Sequence, residues 1–79
     1  MEVKVKIYNK SKYEKDSVKV AEIFYIIKDF EVVTGEKAKE IEKETDGNSL
    51  DEFNEYLVLT LENGETSTFC NSHVDMFRI

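Results

Sequence analysis

The sequence predicts a small α+β domain, in which an antiparallel sheet of about five strands carries one helix between its third and fourth strands. Three observations support this fold class. Apolar and polar residues alternate over residues 3–7, a threonine at position 34 precedes a helix-favouring segment, and an Asn-Gly turn at residues 63–64 separates two apolar runs. The chain has 79 residues, so we expect residues 1–79 to form a single domain with one thin core.

The first part of the chain is richest in strand signals. Residues 3–7 alternate as a half-buried strand does, and the polar residues 9–17 form a connection. Residues 18–27 also fit helical spacing, but they are dense in β-branched and aromatic residues, which favours a strand. We expect the apolar block at 23–27 to be covered on both faces, as in a central strand, and a further short strand at 30–33.

A helix is predicted from residue 35 to residue 45. Thr34 is a good N-cap, and Glu36 falls in the first turn, where the helix dipole favours an anion. Turn residues at 46–48 end the helix. Its apolar stripe is narrow, so most of the helix surface should face water. The stripe consists of Ala38, Ile41 and Thr45.

The Asn-Gly turn at residues 63–64 marks a β-hairpin, the clearest element in the sequence. Two registers are possible. A two-residue turn would place Cys70 opposite Leu57, whereas a three-residue turn with a glycine bulge would place Phe69 opposite Leu57. We favour the second register, because it brings the only large apolar side chain of the returning strand into the core.

The last residues, 71–79, indicate one helical or 3-10 turn and then a short strand at 77–79. A late hairpin, a single turn and a short last strand resemble the closing elements of SH3-like barrels. The resemblance covers roughly the last quarter to third of the chain and rests on no specific motif. It implies an alternative fold, a small SH3-like barrel with an inserted helix, and implies no function.

Composition excludes several function classes. Seventeen acidic and eleven basic residues give a net charge of −6, which argues against nucleic acid or an anionic membrane as a direct partner. One cysteine excludes a disulfide framework, and no apolar run approaches the roughly 20 residues of a membrane helix. We therefore expect an acidic cytoplasmic domain.

Candidate catalytic and metal-binding patterns are weak. Cys70 and His73 have the spacing of half a zinc site, but no second pair follows. Residues 46–52 are acidic and oxygen-rich, yet their glycine comes second, where a calcium loop of the EF-hand type needs it sixth. We expect no cofactor, no metal and no enzymatic activity, with Cys70 acting as a small hydrophobic residue.

Charge is distributed unevenly along the chain. The net charge is +1 over residues 1–35, −7 over residues 36–65 and zero over residues 66–79. Within the helix, Glu36 and Glu40 are four residues apart, and Glu44 continues the series. Like charges at this spacing cost a few tenths of a kcal/mol per pair, whereas alternating signs would have stabilised the helix.

Two interpretations of the acidic segment remain open. It is either a solvated surface that keeps a small protein soluble, or a negative patch that complements a basic cleft on a partner. The candidate partner-binding residues are Glu36, Glu40, Glu44, Asp46, Asp51, Glu52, Glu55 and Tyr56. Tyr56, Phe53 and Leu50 are the candidate apolar anchors within this region.

The functional prediction is a small non-enzymatic binding protein. The leading hypothesis is an inhibitor from a phage or mobile element, of anti-CRISPR or other anti-defence type. Its carboxylates would mimic nucleic acid and block the basic nucleic-acid-binding site of a host protein, either a nuclease or another nucleic-acid-binding protein. The alternative is a symmetric oligomer, such as a homodimer, that binds a small molecule between subunits. Its seam would be the apolar block at 23–27, with Tyr25 as a polar-tipped aromatic. A third possibility is a structural subunit of a larger particle.

Overall fold

The protein folds as a five-stranded antiparallel sheet with one helix, as seen in a computed structural model that describes residues 1–42 and 50–79. The strands are β1 (Glu2–Tyr8), β2 (Lys19–Thr34), β3 (Glu55–Leu61), β4 (Thr66–Cys70) and β5 (Val74–Arg78). Helix α1 spans Gly35–Ile41, and a 3-10 turn at Asn71–His73 joins β4 to β5. The order across the sheet is β4-β3-β2-β1-β5. The predicted small antiparallel α+β fold is confirmed at this level.

Strand β2 is shared by two half-sheets. Its residues 19–26 pair with β1, which also pairs with β5, and its residues 27–34 pair with β3, which also pairs with β4. The register shifts between Ile27 and Asp29, so the strand bends at a bulge without ending. The predicted separate strands at 18–27 and 30–33 are therefore one strand, and the helix follows the second strand, not the third.

The hairpin between β3 and β4 has the register that the sequence favoured. Leu57 lies opposite Phe69. The Leu61 N–H donates to the Glu65 carbonyl at 2.8 Å, and Gly64 adopts φ +88°, a value that glycine reaches without strain. A three-residue loop with a glycine in the left-handed region thus closes the hairpin.

Buried apolar residues form two clusters on opposite faces of β3. The first fills the space between the two half-sheets and consists of Val3, Val5, Ile27, Leu57, Leu59 and Val74. The second lies beneath α1 and consists of Val33, Ala38, Tyr56 and Val58. Because β3 contributes to both clusters, it is the strand that is buried on both faces.

The apolar block at 23–27 is not covered on both faces, contrary to the prediction. Ile27 is fully buried, but Phe24 and Ile26 are exposed. The reason lies in the position of α1, which packs over β2 and β3 on the outer side of the second half-sheet. On the outer side of the half-sheet made by β2, β1 and β5, the side chains of Phe24, Ile26 and Phe77 therefore stay exposed.

Helix α1 begins as predicted, and side-chain hydrogen bonds fix both of its ends. The Thr34 Oγ1 accepts a hydrogen bond from the Lys37 N–H at 3.3 Å. At the other end, Glu42 Oε1 accepts hydrogen bonds from the hydroxyls of Thr66 and Thr68, at 2.9 and 2.6 Å. The predicted end of the helix at Thr45 and the turn at 46–48 lie outside the described residues.

Candidate partner-binding site

An open groove of about 230 Å³ lies between two loops at one end of the sheet. One wall is the β1–β2 connection and the other is the turn at residues 51–54, while the 3-10 turn forms the base. Two aromatic residues border it, Tyr13, which is 78% exposed, and Phe53, which is 89% exposed. The lining residues are Tyr13, Phe53, Asn54, Glu55, Asn71 and Ser72. We call this site the Tyr13–Phe53 groove.

The wall that carries Tyr13 is anchored through the preceding residue. The Lys12 N–H donates to the Ser72 carbonyl at 2.7 Å. The Lys12 ammonium donates to the Val74 carbonyl at 2.8 Å and to Asp75 Oδ1 at 3.0 Å, and the Tyr8 hydroxyl donates to Asp75 Oδ2 at 3.0 Å. The polar connection of residues 9–18 is therefore fixed to β5, and Tyr13 is held at the rim of the groove.

Replacing Asp75 with asparagine is expected to destabilise the fold near pH 7 and much less in acid. Hydrogen bonds from Lys12 and then Tyr8 hold the pKa of Asp75 below its ordinary value of 3.8. A carboxyl group whose pKa is lowered by folding contributes stability above its ordinary pKa, and that contribution is lost as the pH falls through the folded value. Urea unfolding at about pH 7 and about pH 2 measures the difference between the two proteins. An equal difference at both pH values would contradict the prediction.

The opposite wall is built by Asp51. Its Oδ1 accepts a hydrogen bond from the Phe53 N–H at 2.9 Å, and its carbonyl accepts from the Asn54 N–H at 3.1 Å. These bonds close a tight turn on which Phe53 is exposed to solvent. The Gly35 N–H donates to the Asn54 carbonyl at 2.7 Å, which fixes the turn to the start of α1.

Gly35 is required at this contact for steric reasons. A Cβ atom on Gly35 would overlap the carbonyl oxygen of Asp51 and would lie 2.7 Å from the Cα of Glu52. The backbone of the turn therefore rests directly on the first residue of the helix. This close approach positions Phe53 and the acidic residues around it.

Four of the predicted acidic residues come together around the start of α1. Asp51 and Glu52 pack against Gly35, Glu36 follows Gly35 in sequence, and Glu55 pairs with Thr34 across the β2–β3 ladder. Glu40 is exposed one turn further along the helix. Glu44 and Asp46 lie outside the described residues.

The carboxylates of Glu36, Glu52 and Glu55 are available to solvent or to a partner, whereas both oxygens of Asp51 accept hydrogen bonds within the turn, from the Phe53 N–H and the Asn54 side-chain amide. In residues 1–42 and 50–79, Glu36, Glu52 and Glu55 make no salt bridge, and neither does Glu40. The nearby Lys37 instead approaches Glu31, with 3.8 Å between Nζ and Oε2. Because Glu55 also lines the Tyr13–Phe53 groove, the acidic cluster and the groove are continuous.

Tyr56 is not an exposed anchor, contrary to its place among the candidate residues. Only 6% of its surface is exposed, because this residue belongs to the cluster beneath α1. Its hydroxyl accepts a hydrogen bond from the Asp51 N–H at 2.7 Å, so it supports the acidic turn from below. Leu50 is half-buried against the same cluster, which leaves Phe53 as the exposed apolar residue of the three.

Sequence reasoning missed four lining residues of the groove: Tyr13, Asn54, Asn71 and Ser72. Tyr13 carried a usable signal, because it is the one large apolar side chain in a polar connection. The other three are ordinary turn residues. Their part in the groove depends on how the 3-10 turn and the two loops meet in three dimensions.

The remaining sequence candidates show no reactive arrangement in the part of the chain that the structure describes. Cys70 is half-buried, with its Sγ 3.4 Å from the Ser72 Oγ, and it packs against the cluster beneath α1. Over the same residues, no three His, Cys, Asp or Glu side chains are grouped as metal ligands would be. Nor does any helix there have the length and apolar character needed to cross a membrane.

No protein-family model matches the chain, and neither the curated proteins nor the solved structures compared with it give a match.

Proposed function

We propose that this protein is a non-enzymatic binding domain that captures a basic, extended segment of a protein partner in the Tyr13–Phe53 groove. The observation that carries the proposal is the pair of exposed aromatic rings on anchored loops, next to carboxylates that have no cationic partner among the described residues. We place this activity in the cytoplasm.

The two aromatic rings would supply most of the binding energy. Exposed Tyr13 and Phe53 offer large, rigid contact surfaces on either side of a groove. The Lys12 ammonium already lies 5.6 Å from the Tyr13 ring centroid, and the Phe53 ring can attract a lysine or arginine of the partner through cation–π interaction, worth roughly 0.5–1 kcal/mol at an exposed site. Aromatic-lined grooves are a known mode of recognition for extended peptide segments.

The carboxylates would select the partner. Glu55 lines the groove, and Glu36, Asp51 and Glu52 lie beside it, so a basic segment is attracted while an acidic one is repelled. Surface charges of this kind raise the association rate and lose influence as salt is added.

A more specific form of the proposal is an anti-defence inhibitor that blocks a basic nucleic-acid site on a host protein. The chain's net charge of −6 and its clustered carboxylates support this form. The strand order and the 3-10 turn before β5 also support the finer fold assignment, a small SH3-like barrel with a helix inserted after β2. That assignment by itself implies no partner.

The test is an NMR titration of the labelled protein with a lysine- and arginine-rich peptide, with a glutamate-rich peptide of the same length as control. The expected result is shift changes at Tyr13, Phe53 and Ser72 with the basic peptide only. Phe53→Ala should weaken binding about tenfold, which corresponds to ~1.4 kcal/mol. Addition of salt should weaken binding further.

Charge reversal provides the matched comparison. Glu55→Lys in the groove should weaken binding several-fold, whereas Glu65→Lys in the β3–β4 loop should change it little. Both positions are exposed and both changes alter the net charge equally. An equal loss for the two variants, or full binding by Phe53→Ala, would show that the groove is not the binding site.

A further inference from the structure

The outer face of β2, β1 and β5 exposes large apolar side chains. Phe24 is 63% exposed and Ile79 is 68% exposed, and Ile26 and Phe77 are also exposed. Small monomeric proteins rarely leave contiguous apolar patches larger than a few hundred Å² open to water. Helix α1 packs over the outer side of the other half-sheet, whereas on this one the large apolar side chains stay exposed.

The exposed side chains on this face are arranged in two rows across the strands. The first row is Phe24, Lys4 and Phe77. The second row is Ile26, Glu2 and Ile79. Each row thus has an apolar side chain at either end and one charge in the middle, on β1. The two central charges are opposite in sign. The Lys4 ammonium lies 5.7 Å from the Phe77 ring centroid, so its stem runs over the apolar surface.

We propose that this face packs against the same face of a second copy of the chain, with the twofold axis running across the strands between the two rows. A rotation about that axis places each row over the other. Lys4 then faces Glu2 of the partner subunit, and Phe24 faces Ile26 of the partner subunit. Both contacts occur twice, as a twofold interface requires.

Charge complementarity favours a second copy as the occupant of this face. With the proposed axis, Lys4 of each copy meets Glu2 of the other copy. The apolar side chains at the ends of the rows likewise meet apolar side chains of the other copy. A twofold axis parallel to β1 would instead bring Glu2 against Glu2 of the partner subunit, which is unfavourable. Outside this face the two copies repel one another, because each chain has a net charge of −6.

The next row of the sheet has the character of an interface rim. It contains Glu22, Lys6 and Asp75, and all three side chains are charged. Polar residues commonly surround the apolar centre of a protein interface. None of the residues in these three rows lines the Tyr13–Phe53 groove, so a dimer would carry two grooves and could bind a partner bivalently.

Sedimentation equilibrium of the intact chain tests the proposal. At micromolar to sub-millimolar concentrations the protein should sediment with twice the mass of one chain. Phe24→Asp should be a folded monomer, since it places a charge in the apolar seam. Lys4→Glu alone should weaken association by roughly tenfold or more through like-charge contacts with Glu2. Circular dichroism shows whether each variant is folded.

The double variant Glu2→Lys/Lys4→Glu is the decisive control. It exchanges the two charges and so restores both reciprocal pairs between the copies, although not the 3.8 Å contact between Lys4 and Glu22 within each copy, and the dimer should be clearly tighter than that of Lys4→Glu. A monomeric wild-type protein would overturn the proposal, as would a dimer that survives Phe24→Asp or a folded double variant no tighter than Lys4→Glu. Because the groove lies elsewhere, peptide binding by a monomeric variant would separate failure of the dimer from failure of the proposed function.

Discussion

Truncation of Leu59 to alanine is expected to lower the free energy of unfolding by about 3–4 kcal/mol. Leu59 is 0% exposed and lies at the middle of β3, where its side chain packs in the cluster between the two half-sheets. The change removes apolar contacts and leaves a cavity that the surrounding strands fill only in part. A domain of this size is only marginally stable. A decrease of this magnitude in the free energy of unfolding is therefore expected to leave much of the protein unfolded at 37 °C.

Urea unfolding followed by circular dichroism measures this loss. Val32→Ala is a suitable control, because Val32 lies on the neighbouring strand opposite Leu57 and is half-exposed. Val32→Ala should lower the free energy of unfolding by well under half as much as Leu59→Ala. Equal losses at the two positions would mean that the cluster between the half-sheets is not the main source of stability.

Replacement of Gly35 with alanine is expected to lower the free energy of unfolding by about 1–3 kcal/mol. On local propensity alone the change should stabilise the protein, since alanine favours a helix over glycine by about 1 kcal/mol. The close contact with the turn makes the change in the free energy of unfolding destabilising instead. The new Cβ would overlap the Asp51 carbonyl oxygen, which is backbone and can move only if the whole turn moves.

Thermal unfolding and the peptide titration together test this second prediction. Gly35→Ala should lower both the Tm and the affinity of the Tyr13–Phe53 groove, because the displaced turn carries Phe53. Gly64→Ala is the control, since Gly64 has φ +88° but no atom near the position of a new Cβ. It should lower stability by about 1–2 kcal/mol, the cost of alanine in the left-handed region, without affecting peptide binding. A Gly35→Ala protein as stable as the wild type would contradict the proposed contact.

The parts of the fold that depend on neighbouring residues in the chain could be predicted from the sequence. The Thr34 cap is confirmed, and so is the pairing of Leu57 with Phe69, because a single glycine in a short loop determines the register. The strand character of residues 18–27 is likewise confirmed, since β-branched residues outweighed the competing helical spacing.

The parts that depend on distant packing could not be predicted. The sequence predicts separate strands at 18–27 and 30–33, but a bulge between Ile27 and Asp29 lets β2 continue from one half-sheet to the other. Helix α1 packs on the half-sheet that contains β3 and β4, so Tyr56 is buried beneath it. Phe24 lies on the other half-sheet, which the helix does not cover, and is therefore exposed. The groove depends on the meeting of Tyr13 and Phe53, which are separated by 39 intervening residues and share no local pattern.

The pairing of β1 with β5 has a consequence for how fast the protein folds. It joins residues 3–7 to residues 74–78, so the ladder closes a loop almost as long as the whole chain. Domains with such a high contact order reach the native state slowly, because closing the loop lowers the chain entropy before the distant contacts stabilise the fold. A millisecond-to-second refolding phase is therefore expected, in which the hairpin of β3 and β4 forms early and one edge of β1 stays unpaired until β5 docks.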